Sequence, residues 1–185
     1  MRVDVLTLFP KIFDSYVNES LFARARKNQL ISFCAHDIRK YLKGPKDRVD
    51  DRPFGGGPGM VIKVEPIYRA VNEAKKKALR RTQKIQGKSS RVILFSTRGT
   101  PFDAVAARRL SKYKQLIFIC GHYEGVDERV AEHVADEELS IGPYVLSGGE
   151  PAAIVVMDAV ARFIKGFLGK EESLEEMKGE QVKTE

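Results

Sequence analysis

The strongest constraint on this chain is a pattern that recurs three times between residues 91 and 164. A short strand-like run, continuously apolar in the first two cases, enters a loop of glycine and small polar residues, and a helix-like stretch follows. Residues 92–95 lead into Ser96-Thr97-Arg98-Gly99-Thr100-Pro101, and residues 115–119 into Cys120-Gly121-His122-Tyr123-Glu124-Gly125. Residues 138–141 open the third loop, which ends Gly142-Pro143-Tyr144-Val145-Leu146-Ser147-Gly148-Gly149-Glu150. Continuous apolar runs without alternation are the mark of strands covered on both faces. Loops this rich in glycine are shaped for close approach of backbone to something else. Together they predict a parallel sheet with one ligand cradle at its carboxyl edge. The stretch after the last loop, residues 151–164, is apolar on nearly every side and predicts a helix buried in a core or a subunit interface.

The first ninety residues are less regular. Residues 3–9 read as a strand, Ser20 as the N-cap of a helix carrying Leu21, Phe22, Ala25 and Leu30, and residues 31–35 as a second strand. Residues 38–60 read as irregular and hold Asp47-Arg48-Val49-Asp50-Asp51-Arg52-Pro53-Phe54-Gly55-Gly56-Gly57-Pro58-Gly59, a glycine-rich loop long enough to suggest function. Pro66 is expected to open a helix to residue 79. Helices are expected over 103–113 and 126–134. The tail after Gly169 is charged and poor in apolar residues.

With 185 residues the chain fits one domain, or one domain with a tail. Its longest apolar run, residues 152–157, is too short to span a bilayer, so no membrane association is expected. Cys34 and Cys120 form no CxxC pair and sit in apolar contexts, which suits reduced thiols and a cytoplasmic location. The net charge is +7, and residues 171–185 carry −4, so residues 1–170 carry +11. That favours a polyanionic partner, although a solvated basic surface would look the same. Residues 75–91 hold eight lysines and arginines and no acid. They read either as a solvated helix end or as a phosphate-tracking patch. Gly87-Lys88-Ser89 lacks the earlier glycine of a P-loop, since Thr82 stands there. No GxGxxG follows a strand. His36, His122 and His133 show no metal-ligand spacing with either cysteine, and no metal site is expected.

Three local features suggest chemistry. Asp127 and Glu128 are placed to cap a helix, or to meet a ligand. Glu124 lies inside a tight turn before a glycine, where a ligand role explains it better than packing. Arg162 lies one turn beyond Asp158 on the most apolar helix. The two read either as an i,i+4 pair or as a charge held for a site.

These residues closely resemble the bacterial tRNA (guanine-N1)-methyltransferases of the trefoil-knotted SPOUT superfamily. The motifs are Leu8-Phe9-Pro10, Val49-Asp50-Asp51-Arg52-Pro53-Phe54-Gly55-Gly56-Gly57-Pro58-Gly59-Met60, Cys120 through Arg129, Ser140-Ile141-Gly142, Tyr144 through Glu150, and Arg162-Phe163-Ile164. They run in family order across residues 1 to about 170. The resemblance implies an α/β fold, a parallel-sheet sandwich with a C-terminal trefoil knot, over residues 1–168. It implies S-adenosylmethionine as cofactor, held by Thr97, Gly99, Gly121, Tyr123, Gly125, Ile141, Gly142, Pro143, Tyr144, Val145, Leu146, Gly148 and Gly149. The implied substrate is tRNA, methylated on N1 of the guanine just 3′ of the anticodon, with Asp50, Arg52 and Glu124 at the RNA. The implied assembly is a homodimer with its active site between subunits. Arg162 matches the arginine that stabilises charge on the guanine O6.

The sequence departs from the family pattern in places. Thr97 replaces a proline of the first knot loop, and Pro143 replaces an acidic residue of the third. The family's catalytic aspartate falls on Met177, so Glu176 is the candidate substitute, with Asp50 or Asp51 next. Residues 169–185 read as an acidic linker, and the family's C-terminal tRNA-binding domain is absent beyond Glu185. The alternative reading is therefore a cofactor- and RNA-binding dimer that is catalytically impaired as this isolated chain.

Overall fold

A computed structural model describes residues 1–53, 55–81 and 89–168. Five parallel strands form the central sheet: β1 (Arg2–Thr7), β2 (Ser32–Asp37), β5 (Ser90–Pro101), β6 (Gln115–Ile119) and β7 (Glu137–Ser140). Their order across the sheet is β2-β1-β6-β5-β7. A two-residue ladder joins β3 (Asp50–Asp51) to β4 (Val61–Ile62) in antiparallel register. The helices are α1 (Asp14–Val17), α2 (Ser20–Lys27), α3 (Val64–Arg81), α4 (Ala104–Leu110), α5 (Glu128–His133) and α6 (Glu150–Arg162).

Both faces of the sheet are covered, as its unbroken apolar strands require. On one face Val3, Val5, Ile93, Leu116 and Phe118 pack with Phe22, Ala107 and Leu110 and with Ala153, Val156, Met157 and Val160 of α6. On the other, Leu6, Val92, Leu94, Ile117 and Ile119 pack with Ile67, Ala70, Val71 and Ala74 of α3 and Val130 of α5. Each fully buried large aliphatic or aromatic side chain contributes about 1.5–3 kcal/mol, so these two layers hold the carboxyl edge in place.

Several expectations need correction. Ser20 does not cap α2: it is the helix's first residue at φ 49°, Glu19 holds the cap position, and no side chain caps it. Residues 96–101 are not a free loop. β5 runs through them, with a register break between Phe95 and Thr100 that lets Thr100 pair with Leu139 as well. Pro66 does not open α3, which begins at Val64; proline is tolerated anywhere in a first turn. Cys34 is only half-buried on the edge strand, while Cys120 is fully buried. Helix α6 is buried along Ala152, Ala153, Val156, Met157, Val160 and Ala161, yet Val155 is 48% exposed. The capping role of Asp127 holds, since its carboxylate accepts from Arg129 N, and Asp103 caps α4 in the same way by accepting from Ala106 N. Lys84, Lys88, Glu175, Glu176, Met177 and the 169–185 segment lie outside the described residues.

Candidate functional site

At the carboxyl edge of β5, β6 and β7 lies a cavity of about 670 Å³. Its wall is built from all three strand ends, as a site at this edge of a parallel sheet should be. After β6 the chain turns sharply: Tyr123 takes φ 60° and Gly125 φ 116°. That turn is held by the Gly125 N–H donating to His122 O at 3.0 Å. It is also stitched to the glycine-rich segment: Glu124 N donates to Met60 O, Ile62 N to Gly125 O and Asp127 N to Ile62 O. The Glu124 side chain lies across Gly59, itself at φ 86°, so that a side chain there would collide with it.

After β7 the third loop returns across β5 to reach the end of β6. Gly149 N donates to Gly121 O at 2.9 Å. A Cβ on Gly149 would stand 2.7 Å from Cys120 Cα, so only glycine permits this contact. The next residue, Glu150, is buried at the start of α6 and accepts a 2.5 Å hydrogen bond from Thr7 Oγ1. Thr7 Oγ1 in turn accepts from Phe9 N, and the Phe9 ring stands edge-on to His122 at 4.9 Å. Burial, then the Glu150 carboxylate, push the Cys120 thiol well above its ordinary range, which keeps it protonated.

Thr97, Gly121, Tyr123, Glu124, Gly125, Ile141, Gly142, Tyr144, Val145, Leu146, Gly148 and Gly149 all line the cavity. Gly99 and Pro143 are not among its lining residues. Gly99 packs on the backbone of Leu139, where a Cβ would meet Leu139 N at 2.6 Å, so its smallness serves strand pairing. Asp50 pairs with Ile62 beside the glycine-rich segment, and Arg52 is exposed. Neither lines the cavity, but Pro53 and Gly55 do. Arg162 is the last residue of α6, half-buried and away from this wall. Asp158 accepts a hydrogen bond from Tyr16 at 2.5 Å, and burial followed by that carboxylate pushes the Tyr16 hydroxyl up. Thr7, Phe9, His122, Glu138 and Glu150 were not among the expected site residues. Only the adjacency of Leu8-Phe9-Pro10 hinted at the first two, and nothing local marks Glu138 within its strand.

A second polar cluster lies beneath α3, and sequence spacing could not reveal it. Asp4, Cys34 and His36 bring their ligand-type atoms within 4.8 Å of one another. Asp4, fully buried, accepts from Arg2 at 2.6 and 2.7 Å, from Gln115 at 2.7 Å and from His36 Nε2 at 2.7 Å. Burial would raise its carboxyl, but these bonds hold it below the usual range. Burial would lower His36, but its bonds to Asp4 and Cys34 raise it to about 9. The Cys34 thiol is lowered, first by its bond to His36. A carboxylate already shared by a guanidinium and an imidazolium makes a poor cation ligand, so this is an internal ion network.

A parallel sheet with a glycine-walled cavity at its carboxyl edge defines the class of α/β proteins that place their ligand site at that edge. Comparison with known proteins narrows this. The family described as tRNA (Guanine-1)-methyltransferase TrmD matches residues 1–181, and the chain belongs to that family. A tRNA (guanine-N(1)-)-methyltransferase of Dehalococcoides mccartyi is 47% identical over 173 residues, covering 94% of this chain and 66% of the relative. One from Heliobacterium modesticaldum is 46% identical over 177 residues, covering 95% and 64%. The crystal structure of tRNA (m1G37) methyltransferase from Aquifex aeolicus superposes with a TM-score of 0.78 at 38% identity, over 92% of this chain and 72% of that one. The chain thus spans about two thirds of the length of the curated relatives it matches. No helix among the described residues is long and apolar enough to cross a membrane.

Proposed function

We propose that this chain is the cofactor-binding part of a cytoplasmic enzyme that methylates N1 of the guanine immediately 3′ of the anticodon in tRNA. The methyl donor in this reading is S-adenosylmethionine. The observation that carries it is the cavity itself: a close-approach glycine wall with Glu124 held over it by Met60 and Gly59. Buried polar atoms left unpaired in that wall fit a bound polar ligand. When bound, the cofactor supplies an electrophilic methyl on a sulfonium. The chain must then orient the guanine, accept its N1 proton and stabilise charge on O6. In this reading Glu124 faces the guanine, Arg162 stabilises O6, and Asp50 and Arg52 meet the RNA. The proton acceptor is assigned to Glu176.

The same reading includes a trefoil knot and a homodimer. The knot is supported by the return of the third loop over β5 to seat Gly149 on Cys120. The dimer is supported by α6, where exposed Val155 adjoins half-buried Ile154 and Ala159, and by Val145 in the preceding loop, which is 86% exposed. Arg162 ends that helix, so a dimer through α6 brings it to the interface. Light scattering should give twice the 20.8 kDa chain mass; a monomer at micromolar concentration refutes the assembly.

Met177 at the family's aspartate position favours a second reading, in which this isolated chain binds cofactor and RNA but transfers methyl poorly. A single-turnover assay with labelled cofactor and a tRNA bearing that guanine separates the two. Loss of a general base costs about 10²–10⁴-fold in rate. A rate within about tenfold of a version extended by the family's C-terminal domain rejects impairment. Calorimetry showing no S-adenosylmethionine binding at millimolar ligand rejects both readings.

A further inference from the structure

Among the described residues, only two buried side-chain polar atoms lack a hydrogen-bond partner: His122 Nδ1 and Glu138 Oε2. Both residues line the same cavity. A buried acceptor left empty is costly, and native structures keep few of them. Two such atoms on residues of one cavity wall fit an occupant that completes them.

Their positions constrain that occupant. His122 follows β6 and Glu138 lies on β7, with β5 between them. His122 lies three residues beyond β6 and is bridged to Gly148 of the third loop, whereas Glu138 lies within β7, so the two belong to different parts of the wall. An adenosyl group joined to an amino acid offers polar groups to both. Glu138 carries a carboxylate, which needs a donor: the ligand's amino-acid half offers an ammonium but brings its own carboxylate beside it. The adenosine half carries only neutral N–H and O–H donors. Arg98 feels the Glu138 charge, but its guanidinium is engaged by Glu128 at 2.7 Å.

We propose that Glu138 is a binding residue of this cavity whose Oε2 accepts a hydrogen bond from an N–H or O–H of the ligand's adenosine half. The inference rests on the reading that the cavity holds S-adenosylmethionine. Ser140 and Ile141 follow Glu138 directly into the third loop, so β7 delivers both the backbone wall and this side-chain acceptor to the same end of the ligand.

Calorimetric titration of the full chain with S-adenosylmethionine and with 5′-methylthioadenosine, which lacks the amino-acid part, tests this. Glu138→Gln keeps a carbonyl acceptor and should lose a few-fold in affinity. Glu138→Met removes the acceptor and should lose about tenfold or more, and the loss should persist with 5′-methylthioadenosine. Thermal melting of the unliganded Glu138→Met chain should be unchanged or higher, because an unpaired buried oxygen has been removed. Unchanged affinity in both variants, while wild type binds, overturns the inference and leaves the cofactor reading standing. A penalty seen only with the intact cofactor overturns it too, since Glu138 would then serve the other half. A melting temperature several degrees lower would assign Glu138 to the fold and overturn it as well. Failure of wild type to bind either ligand overturns the cofactor reading and the inference with it.

Discussion

Beneath α3 the sheet carries Arg2, Asp4, His36 and Gln115, and the Asp4 carboxylate is met by all three of the others. At the carboxyl edge of the same sheet, His122 and Glu138 each bury a polar atom that meets nothing. The apolar residues differ as well. Ile117 opposite Asp4 and Ala74 above it are fully covered, whereas Tyr123 and Tyr144 at the edge are each 52% exposed. The first cluster is closed upon itself and serves the fold. The second is open in both polar and apolar terms, and a region of that kind is built for something that arrives later.

The largest effect should come from breaking the closed cluster. Asp4→Ala leaves the Arg2 and His36 charges without their carboxylate. Removing one partner of a buried ion pair costs about 3–5 kcal/mol. Urea denaturation should register that loss, while S-adenosylmethionine affinity of the still-folded fraction stays near wild type. A stability loss below about 1 kcal/mol, the range of a surface pair, would mean that the cluster is solvated and that the two regions do not differ in this way.

Next is Gly149→Val at the open edge. A Cβ there would already stand 2.7 Å from Cys120 Cα and 3.2 Å from Gly121 N, before the branched methyls are added. Forcing the loops apart costs about 1–3 kcal/mol, which at about 1.4 kcal/mol per decade is up to ~100-fold in affinity. Calorimetry should show that drop. Retained affinity would mean that the wall can part without harm.

How far the sequence reveals each region follows from the same contrast. Glycine loops after apolar runs are local signals, so the carboxyl-edge cradle and most of its lining can be read directly. Asp4, His36 and Gln115 are scattered over more than a hundred positions and meet only through strand pairing, as Asp4 opposite Cys34 shows. Nothing in their spacing could reveal that. Residues 96–101 read as a loop because a strand that breaks register looks, in sequence, like the end of a strand. Glu138 and Glu150 carry no local signal because their importance lies in burial, which composition does not disclose.

Titration probes the closed cluster without mutation. His36 is raised to about 9 from an ordinary value of 6.5. The folded state therefore binds its proton more tightly than the unfolded chain does. That contribution is fully present below about pH 6.5 and is lost as pH rises through about 9. A tenfold difference in proton affinity between folded and unfolded chain corresponds to about 1.36 kcal/mol. Cys34, lowered by its bond to His36, acts the other way and adds stability as pH rises, so the net loss is smaller than His36 alone would give. Asp4 acts in the opposite sense: its lowered carboxyl stabilises above its unfolded value, and the effect fades as pH falls through the folded one. Stability curves from below the unfolded histidine value to above the folded one should show the decline, and His36→Gln should flatten it. A flat wild-type curve would break the assignment of a closed, charged cluster.

The smallest effect sharpens the comparison most, because it asks whether the open edge stores strain. Tyr123 sits at φ 60°, a region that disfavours residues with a Cβ, and its side chain is 52% exposed. Little packing therefore compensates its backbone, and the ring's contact with His122, at 5.2 Å between centroids, is made within the cavity wall. Left-handed backbone costs a non-glycine residue about 1–2 kcal/mol. Glycine relieves that cost but loses more entropy on folding, by about 0.5–1 kcal/mol. Tyr123→Gly should thus change stability by less than about 1 kcal/mol, in the stabilising direction, while weakening S-adenosylmethionine binding. A destabilisation of about 2 kcal/mol or more would show that Tyr123 packs as part of the fold. The carboxyl edge would then be closed in the same sense as the cluster under α3, and the distinction between the two regions would fail at its most exposed residue.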